Sequence, residues 1–347
     1  MNILLSIVIP AFNESKIIEK NIVEVAKWIK DHKKITFEII VVDDGSTDNT
    51  RQVLNKAKSK MKYLKVFHHY TNIGRGKAIR TGIENALGKY IICLDADLSY
   101  SPSHISSLLQ PLENNTADIT LASAHHPKGK VINVPFVRKM LSKFGNKLLA
   151  TGFDTKIFTS TCSVRGFKKE VVENLELMSN DKDLHLEVIQ KAQLLGYRIK
   201  EIPSTLNWRN KKRREPKKNS KFSDLKTLKM KNAILSHLVF NFVSNPGVLL
   251  ILPIIALLLT FIIGLSLLIS NYFIKLQNTN GSAFATIRSV LVDGQITAGV
   301  TFFSIIALII FIVFYFLSFQ NKYNFDLNYK LLMKMNARIK KIEKNRK

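Results

Sequence analysis

Residues 37–50 read FEIIVVDDGSTDNT, an apolar run that passes into a polar loop. The unbroken apolar stretch between Glu38 and Asp43 is typical of a strand buried on both faces of a parallel sheet. A helical pattern follows over about residues 49–60. Strand, polar loop and helix also alternate on both sides of this stretch, with strands predicted at 6–10, 64–68, 90–95 and 118–123 and helices at about 17–29 and 77–86. The alternation predicts an α/β fold, a Rossmann-like and mostly parallel sheet with helices on both faces.

The composition excludes several classes of protein. The chain has 347 residues, 46% of them apolar and 22% charged, so it is not a wholly disordered chain. Two cysteines are too few for a disulfide scaffold or a cysteine-rich zinc site. The 52 Lys and Arg residues outnumber 26 Asp and Glu residues, which gives a formal net charge of +26. We therefore expect an anionic partner, either a membrane surface or a nucleic acid.

Two long segments carry no charged residue, 232–274 and 294–321. The first contains VLLILPIIALLLTFIIGLSLLIS at 248–270, whose 23 residues are long enough to cross a hydrocarbon core of about 30 Å as a helix. Residues 209–231 hold 11 Lys and Arg against two acids, and residues 320–347 hold nine against two. Basic residues favour the cytoplasmic side, so both flanks are expected in the cytoplasm and the short link between the spans outside. The alternative is a pair of buried core helices in a soluble protein.

These patterns predict four parts of the chain. They are a cytoplasmic domain over 1–210, a basic interfacial segment over 211–244, two transmembrane helices within 245–320 (about 248–272 and 296–319) and a basic cytoplasmic tail over 321–347. The basic flanks are expected to attract anionic membrane lipids. A nucleic-acid partner is disfavoured, because the charge is concentrated beside the spans. Assembly of copies through the membrane helices is left open.

Four polar loops follow predicted strands: PAFNES (10–15), DDGSTDNT (43–50), NIGRGKA (72–78) and DADLSYSP (95–102). Ligands of open α/β sheets bind beyond the carboxyl ends of the strands, so the four loops are expected to form one site. Asp95 and Asp97 repel each other unless a cation lies between them, and their oxygens suit Mg²⁺ or Mn²⁺. The alternative is a solvated acidic turn. Asp43 and Asp44 suit a ribose, a base or the metal shell, or one of them caps the turn.

The glycines of NIGRGKA indicate a backbone that passes close to another group. This loop matches neither a Walker A loop nor the G-x-G-x-x-G fingerprint. PAFNES, the first strand-to-helix loop, contains no glycine, so an NAD-dependent dehydrogenase is disfavoured.

In order and spacing, PAFNE, VVDDGSTD, NIGRGKA and LDADLS resemble the family 2 glycosyltransferases of the GT-A fold. The resemblance is greatest to synthases of dolichyl- or polyprenyl-phosphate mannose or glucose. It implies transfer of a hexose from a nucleotide-diphosphate sugar to an isoprenoid lipid phosphate, with inversion. The implied catalytic residues are Asp95, Asp97, Arg138 and Arg209. The implied nucleotide-sugar site contains Pro10, Phe12, Glu14, Asp43, Asp44, Lys77, Asp95 and Ser142, and the metal site contains Asp95, Asp97 and Ser99 with Mg²⁺ or Mn²⁺.

The chain departs from the family pattern at three positions. Ser99 stands where the family often has Gln, so water is expected to complete the metal shell. Ala124 stands where an Arg is usual, and His125, His126 or Lys128 are candidate substitutes. His185 stands where an Asp is common.

A lipid monophosphate is already largely anionic at pH 7, with a second pKa of about 6. It therefore needs positive side chains more than a general base, and Arg138, Lys139, Arg165 and Arg209 are expected to supply them. Two alternatives remain open at this point. The acceptor is a glycolipid or a polysaccharide, or the chain is a catalytically silent membrane scaffold of the same fold. The sequence also leaves open the sugar, the choice of UDP or GDP donor and the isoprenoid.

Overall fold

The computed structural model describes residues 3–136, 140, 142, 146, 157–208, 246–276 and 282–345. The chain divides into two compact units, Met1–Ala233 with Lys330–Lys347 and Ile234–Tyr329. The described strands are β1 Leu5–Ala11, β2 Phe37–Asp43, β3 Leu64–His68, β4 Tyr90–Cys93, β5 Ile119–Ser123, β6 Lys130–Ile132, β7 Arg165–Lys168, β8 Ile199–Pro203 and β9 Thr205–Asn207. The described helices are α1 Ile18–His32, α2 Thr50–Lys60, α3 Arg75–Glu84, α4 His104–Glu113, α5 Lys169–Asn174, α6 Leu184–Leu194, α7 Pro246–Leu276, α8 Ala283–Asp293 and α9 Gln295–Asn345.

The main sheet of the first unit has the strand order β3-β2-β1-β4-β7-β5-β8. Only β7 is antiparallel to its neighbours β4 and β5, and the other pairs are parallel. The prediction of a mostly parallel sheet is confirmed. The sequence analysis does not predict β7, whose four residues RGFK lack a strand-like apolar pattern. A separate two-stranded sheet pairs β6 with β9.

Helices cover both faces of this sheet, as predicted. Side chains alternate along a strand, so Ile7 and Ile9 of β1 join the buried cluster that includes residues of α1, α2 and α4. Val8 faces the opposite side, where α3 lies so close that a Cβ atom on Gly82 would stand 2.3 Å from Val8 Cγ1. This alternation explains why the strands of the core are apolar throughout.

Asp118 joins three strands at the end of the sheet that is opposite to the carboxyl ends of the parallel strands. Its carboxylate accepts hydrogen bonds from Arg198 Nε at 3.0 Å, Arg198 Nη2 at 2.9 Å and Lys168 Nζ at 2.6 Å. These residues lie at or beside the ends of β5, β7 and β8. Hydrogen bonds from Arg198 and Lys168 lower the pKa of Asp118 well below its ordinary value, against the opposing effect of burial.

Replacing Asp118 with alanine is expected to lower the melting temperature by about 4–8 °C, since loss of these charge-assisted bonds costs about 2 kcal/mol. The measurement is thermal unfolding of the purified chain, with Asp31→Ala on the exposed side of α1 as the control. An unchanged melting temperature for Asp118→Ala would contradict the assignment.

The pH dependence of this contribution has a definite sign. The folded chain keeps the Asp118 carboxylate charged at pH values where the unfolded chain protonates it, because the pKa is lowered on folding. The stabilisation is therefore complete above the ordinary pKa of about 4 and is lost as the pH falls below it. The difference in melting temperature between wild type and Asp118→Asn is expected to narrow below pH of about 4.

Two helical stretches are long and apolar enough to cross a membrane, Leu250–Leu276 and Gln295–Asn336. The first lies within the second unit, and the second begins there. They overlap the two predicted spans. A further helix, α8, occupies most of the predicted external link. Lys275 Nζ donates to the Ser289 carbonyl at 2.9 Å and pairs with the Asp293 carboxylate, so two of the few charges in this part of the chain neutralise each other. The helix α9 continues without a break past residue 319.

Gly264 of α7 lies against Thr301 of α9. A Cβ atom on Gly264 would stand 2.1 Å from Thr301 Oγ1. Small residues allow close approach of apolar helices, which pack by van der Waals contact in a membrane. Gly264 is therefore expected to be required for this contact.

Gly264→Leu is expected to lower the melting temperature of the detergent-solubilised chain, since the overpacked contact costs about 1–3 kcal/mol. Gly299→Leu is the matched control, because nothing lies within 4 Å of the Cβ position of Gly299. Equal effects of the two substitutions would contradict a specific contact at Gly264.

Candidate active site

A cavity of about 400 Å³ lies at the carboxyl edge of the sheet, and we call it the edge cavity. Six residues singled out from the sequence line it: Pro10, Phe12, Glu14, Asp44, Asp95 and Asp97. Pro10 lies at the end of β1, and the others belong to loops that follow β1, β2 and β4. Parallel strands bring these loops together, because their carboxyl ends meet at one edge. Arg75 and Asp181 also line this cavity.

The first and second loops are joined through Asn13. This residue has a left-handed backbone, with φ of 56°. Its side-chain oxygen accepts hydrogen bonds from the backbone N–H groups of Thr47 at 2.9 Å and Asp48 at 3.3 Å, and its own N–H donates to Ser46 Oγ at 2.9 Å. Asp48 in turn accepts from Thr50 N at 3.0 Å at the start of α2. Ser46 and Asp48 thus have structural roles in the second loop.

Asp43 and Asp44 differ in what they contact. Asp44 accepts hydrogen bonds from Ile73 N at 3.1 Å and Gly74 N at 2.9 Å, and its side chain borders the edge cavity. Asp43 is fully buried, accepts from Ser46 N at 3.0 Å and does not line that cavity. Both carboxylates hold loops in place, and only Asp44 faces the edge cavity.

The glycines of the third loop contact backbone, as the sequence analysis expected of them. A Cβ atom on Gly74, which has φ of 128°, would stand 2.3 Å from the Asn180 carbonyl oxygen, and one on Gly76 would stand 2.6 Å from the Asp181 carbonyl oxygen. Lys77 N donates to the same Asn180 oxygen at 3.0 Å. The segment before α6 therefore rests on the third loop, which brings Asp181 to the edge cavity.

The side chains of Arg75 and Lys77 lie in different surroundings. Arg75 Nη1 donates to Asp95 Oδ1 at 3.2 Å, inside the edge cavity. Lys77 Nζ lies 3.8 Å from Glu84 Oε2, and Lys77 does not line the edge cavity. Sequence reasoning chose Lys77 from this loop and missed Arg75, although the same motif contains both.

The acidic pair lies on a tight turn after β4. Asp95 Oδ1 also accepts from Ser163 Oγ at 2.6 Å, and Asp97 Oδ1 accepts from Ser99 N at 3.0 Å. The Ser99 hydroxyl is buried and has no hydrogen-bond partner within the described part of the chain. Two carboxylates and an unpartnered hydroxyl form a set of hard oxygen donors, which fits Mg²⁺ or Mn²⁺.

The described residues contain no group of three or more His, Cys, Asp or Glu side chains able to hold a metal ion. Mg²⁺ is commonly bound by only one or two carboxylates and completes its shell with water and substrate phosphates. Asp95 and Asp97 therefore fit a metal that binds together with a phosphorylated substrate.

A second cavity of about 430 Å³ adjoins the edge cavity, and we call it the hydroxyl cavity. The two cavities share Arg75, Asp95 and Asp181. Its other polar lining residues include Ser99, His125, Ser142, Thr159, Thr161, Ser163 and Lys182. His125 Nε2 lies 3.0 Å from Ser142 Oγ. Ser142, expected beside the nucleotide sugar, thus lies in the hydroxyl cavity.

Arg165 does not supply positive charge to a substrate, so that expectation is wrong. Its guanidinium is buried and donates to the carbonyl oxygens of Ser160 at 2.6 Å, Cys162 at 2.7 Å and His185 at 2.7 Å. Burial lowers the pKa of Arg165 to about 10. All three nitrogen atoms of its side chain donate hydrogen bonds, and these bonds hold the loop before β7 against the start of α6.

His185 is buried beside this arginine. Burial and the nearby charge of Arg165 lower the pKa of His185 well below its ordinary value. The imidazole is therefore neutral at physiological pH. It supplies neither the negative charge of the Asp that is common at this position nor a positive charge.

Some predicted residues lie outside the part of the chain that the structure describes, namely Arg138, Lys139 and Arg209. Sequence reasoning also missed the positions of Asp181 and Lys182 in the cavity walls. Asp181 precedes a predicted helix, but its approach to the third loop is a contact between residues far apart in sequence.

Residues 6–176 match the family model described as Glycosyl transferase family 2. A dolichol-phosphate mannosyltransferase of Pyrococcus furiosus is 31% identical over 207 residues, which cover 59% of this chain and 56% of that protein. Glycosyltransferase AglD of Haloferax volcanii is 26% identical over 219 residues, which cover 62% of this chain and 34% of that protein. The chain thus spans about half of the first relative and a third of the second.

Solved structures show a partial likeness. A glucosyl-3-phosphoglycerate synthase from Mycobacterium tuberculosis, in complex with Mn²⁺, UDP and glucosyl-3-phosphoglycerate, has a TM-score of 0.47 at 15% identity and covers 69% of this chain and 79% of its own. The mannosyltransferase PcManGT from Pyrobaculum calidifontis, in complex with GDP-Man and Mn²⁺, has a TM-score of 0.41 at 19% identity. The match covers 58% of this chain and 56% of that chain.

An uncharacterized protein of Methanocaldococcus jannaschii is 30% identical over 204 residues, and the match covers 57% of this chain and 79% of that protein. The family match over residues 6–176 contains all four polar loops. The chain belongs to glycosyl transferase family 2.

Proposed function

We propose that this chain transfers a hexose from a nucleoside-diphosphate sugar to the phosphate of an isoprenoid lipid. The observation that carries the proposal is the pair of adjoining cavities with Arg75, Asp95 and Asp181 in their shared wall. Two substrates that react with each other must be held with their reacting atoms close together, and two adjoining cavities allow this. The name of one relative, a dolichol-phosphate mannosyltransferase, supports the lipid acceptor.

The edge cavity is assigned to the donor. It contains the carboxylates of Asp95 and Asp97 and the exposed ring of Phe12, groups that suit a metal-bound diphosphate and a base. Pro10, Glu14 and Asp44 complete the proposed nucleotide side of the cavity. Asp43 and Lys77 stay in the proposed nucleotide site through the family resemblance alone.

Asp95 and Asp97 would hold Mg²⁺ or Mn²⁺, and the Ser99 hydroxyl would accept a hydrogen bond from a water of the metal shell. When bound, the ion would offset the negative charge that develops on the leaving diphosphate. Complexes of two solved glycosyltransferases contain Mn²⁺, which agrees with this choice of ion.

The hydroxyl cavity is assigned to the acceptor phosphate. Lys182, His125 and the hydroxyls of Ser142 and Thr161 line it, and such groups bind a phosphate by charge and hydrogen bonds. Arg138 and Arg209 are proposed to add further charge. Transfer forms a bond between an acceptor phosphate oxygen and the anomeric carbon, while the bond from that carbon to the donor diphosphate breaks and the diphosphate keeps the electron pair. An ionised phosphate needs no general base for this step.

Arg75 is proposed to reduce repulsion between the two anionic substrates, because it lies in the shared wall. The two apolar helices would anchor the chain. By the positive-inside rule, the basic flanks favour a cytoplasmic position for the domain and the tail.

The assay uses membranes that contain the full chain, labelled UDP-Glc, UDP-GlcNAc, UDP-Gal or GDP-Man, and polyprenyl phosphate. A lipid-soluble, acid-labile labelled product is expected with one donor. A product formed only with diacylglycerol would instead identify a glycolipid synthase. The absence of any product would favour a silent scaffold and contradict the proposal.

Asp97→Asn is expected to lower the rate at least about 100-fold, because the charge that faces the leaving diphosphate is lost. EDTA is expected to abolish the same activity, and added Mn²⁺ or Mg²⁺ to restore it. Asp31→Asn is the control for a carboxylate outside the site. Full activity of Asp97→Asn in EDTA would refute the metal assignment.

Arg75→Gln is expected to lower kcat/KM by about 10–100-fold, and to raise KM for both substrates, since its side chain lines both cavities. Arg75→Lys should retain part of the activity, because it keeps the charge and loses the planar geometry. Lys58→Gln on the exposed side of α2 is the control. A change in KM for one substrate alone would refute the placement of Arg75 between them.

A further inference from the structure

Two consecutive histidines at the end of β3 pair with the two consecutive aspartates where β2 ends. His68 Nδ1 lies 2.9 Å from Asp43 Oδ2. His69 Nδ1 lies 2.8 Å from Asp44 Oδ1. The sheet sets this pairing, since Asp43 is opposite His68 in the register and the His69 N–H donates to the Asp43 carbonyl at 2.8 Å. A carboxylate oxygen only accepts hydrogen bonds, so the Nδ1 atom of each ring carries a proton.

The two pairs have different surroundings. Asp43 is fully buried and does not line the edge cavity, whereas Asp44 does. The side chain of His69 is only 10% exposed, and its Nε2 atom lies 3.1 Å from Thr81 Oγ1 of α3. Both ring nitrogens of His69 therefore have partners, and the ring joins the wall of the edge cavity to the helix that contains most of the third loop.

The hydrogen bonds of Asp44 leave room for one more donor. Its Oδ1 atom accepts from His69 Nδ1 and from Ile73 N at 3.1 Å, and its Oδ2 atom accepts from Gly74 N at 2.9 Å. A carboxylate oxygen offers two acceptor positions, so Oδ1 is filled, and Oδ2 keeps one position that no described residue occupies. The last torsion of an Asp side chain is broad, so a donor is needed to set the angle of the carboxylate.

We infer that His69 is a positioning residue for the nucleotide: its Nδ1–H group holds the Asp44 carboxylate in the orientation that presents the remaining Oδ2 position to the nucleoside. The nucleoside group received there is a hydrogen-bond donor, because an ionised carboxylate only accepts. Hydrogen bonds to a charged acceptor are among the stronger ones, so a misoriented carboxylate lowers the affinity measurably. The inference deepens the proposed function and rests on the assignment of the edge cavity to the donor.

The test measures dissociation constants of UDP and GDP by calorimetry, with Mn²⁺ and the full chain in detergent, and uses the nucleotide that the wild type binds more tightly. An Asn amide at position 69 reaches the place of Nδ1 and can donate to Asp44, while a Gln amide reaches the place of Nε2. His69→Gln is expected to raise the dissociation constant at least about tenfold, and His69→Asn less than about threefold. Wild-type affinity of His69→Gln would overturn the inference.

His68→Gln is the matched control. It removes the same kind of contact from Asp43, which does not line the edge cavity. Its dissociation constant is expected to stay within about twofold of the wild-type value. Equal weakening of nucleotide binding by His68→Gln and His69→Gln would indicate a general loss of order at the ends of β2 and β3, and it would overturn the inference.

A double-mutant cycle shows whether His69 acts through Asp44. In the Asp44→Asn background, His69→Gln is expected to change the dissociation constant less than about threefold, because the carboxylate that it orients is gone. A full tenfold effect in that background would show that His69 acts by another route, against the inference.

Thr81→Val tests the inference if His69→Gln does not fold. This substitution removes only the hydroxyl beside Nε2, so the ring keeps its contact with Asp44 and loses its second partner. The dissociation constant is expected to rise about threefold. An unchanged affinity of Thr81→Val would then count against a ring that is held from both sides.

Kinetics separate this inference from the proposed function. His69→Gln is expected to raise KM for the nucleotide sugar about tenfold and to leave KM for polyprenyl phosphate unchanged, because neither His69 nor Asp44 lines the hydroxyl cavity. An equal rise of both KM values would contradict the inference. A wild-type chain that binds neither nucleotide would refute the donor assignment and the inference with it. A wild-type chain that binds a nucleotide but transfers no sugar would refute the proposed function alone, and the binding test would still decide the role of His69.

Discussion

The contact between the third loop and the segment before α6 determines the shape of the site. The Asn180 carbonyl accepts the Lys77 N–H at 3.0 Å, and Gly74 and Gly76 leave room for the backbone of Asn180 and Asp181. A side chain on either glycine would collide with that backbone. This contact holds Asp181 in the wall that the two cavities share, together with Asp95.

The electrostatics of the site follow from this arrangement. Asp95, Asp97 and Asp181 bring negative charge to a place where anionic substrates are proposed to meet, so cations are needed there. Arg75 supplies one of them directly to Asp95. Arg165, in contrast, is buried and donates its side-chain N–H groups to three backbone carbonyl oxygens. Position in the fold, more than residue type, decides which basic groups face a substrate.

The sequence predicts what depends on local pattern and fails where distant residues meet. The continuous apolar strands and the four polar loops predict the sheet and place Pro10, Phe12, Asp44, Asp95 and Asp97 at one cavity. Sequence alone does not reveal the partner of the glycines, since Gly74 and Asn180 are far apart along the chain. It does not reveal the burial of Arg165 either, because nothing in the local sequence distinguishes an arginine that binds phosphate from one that binds backbone carbonyl groups. The antiparallel β7 is too short to show a periodicity.

The position of β7 has a consequence for biosynthesis. The strands β1 to β4 can pair as soon as residues 5–93 have left the ribosome, but β5 reaches them only through β7, which comes later in the chain. Until residues 165–168 emerge, β4 is an open edge strand, and unpaired edges recruit other chains. The nascent chain thus passes through a state in which only part of the sheet has formed. A pause or truncation between residues 93 and 165 would leave the unpaired edge of β4 exposed in the cell.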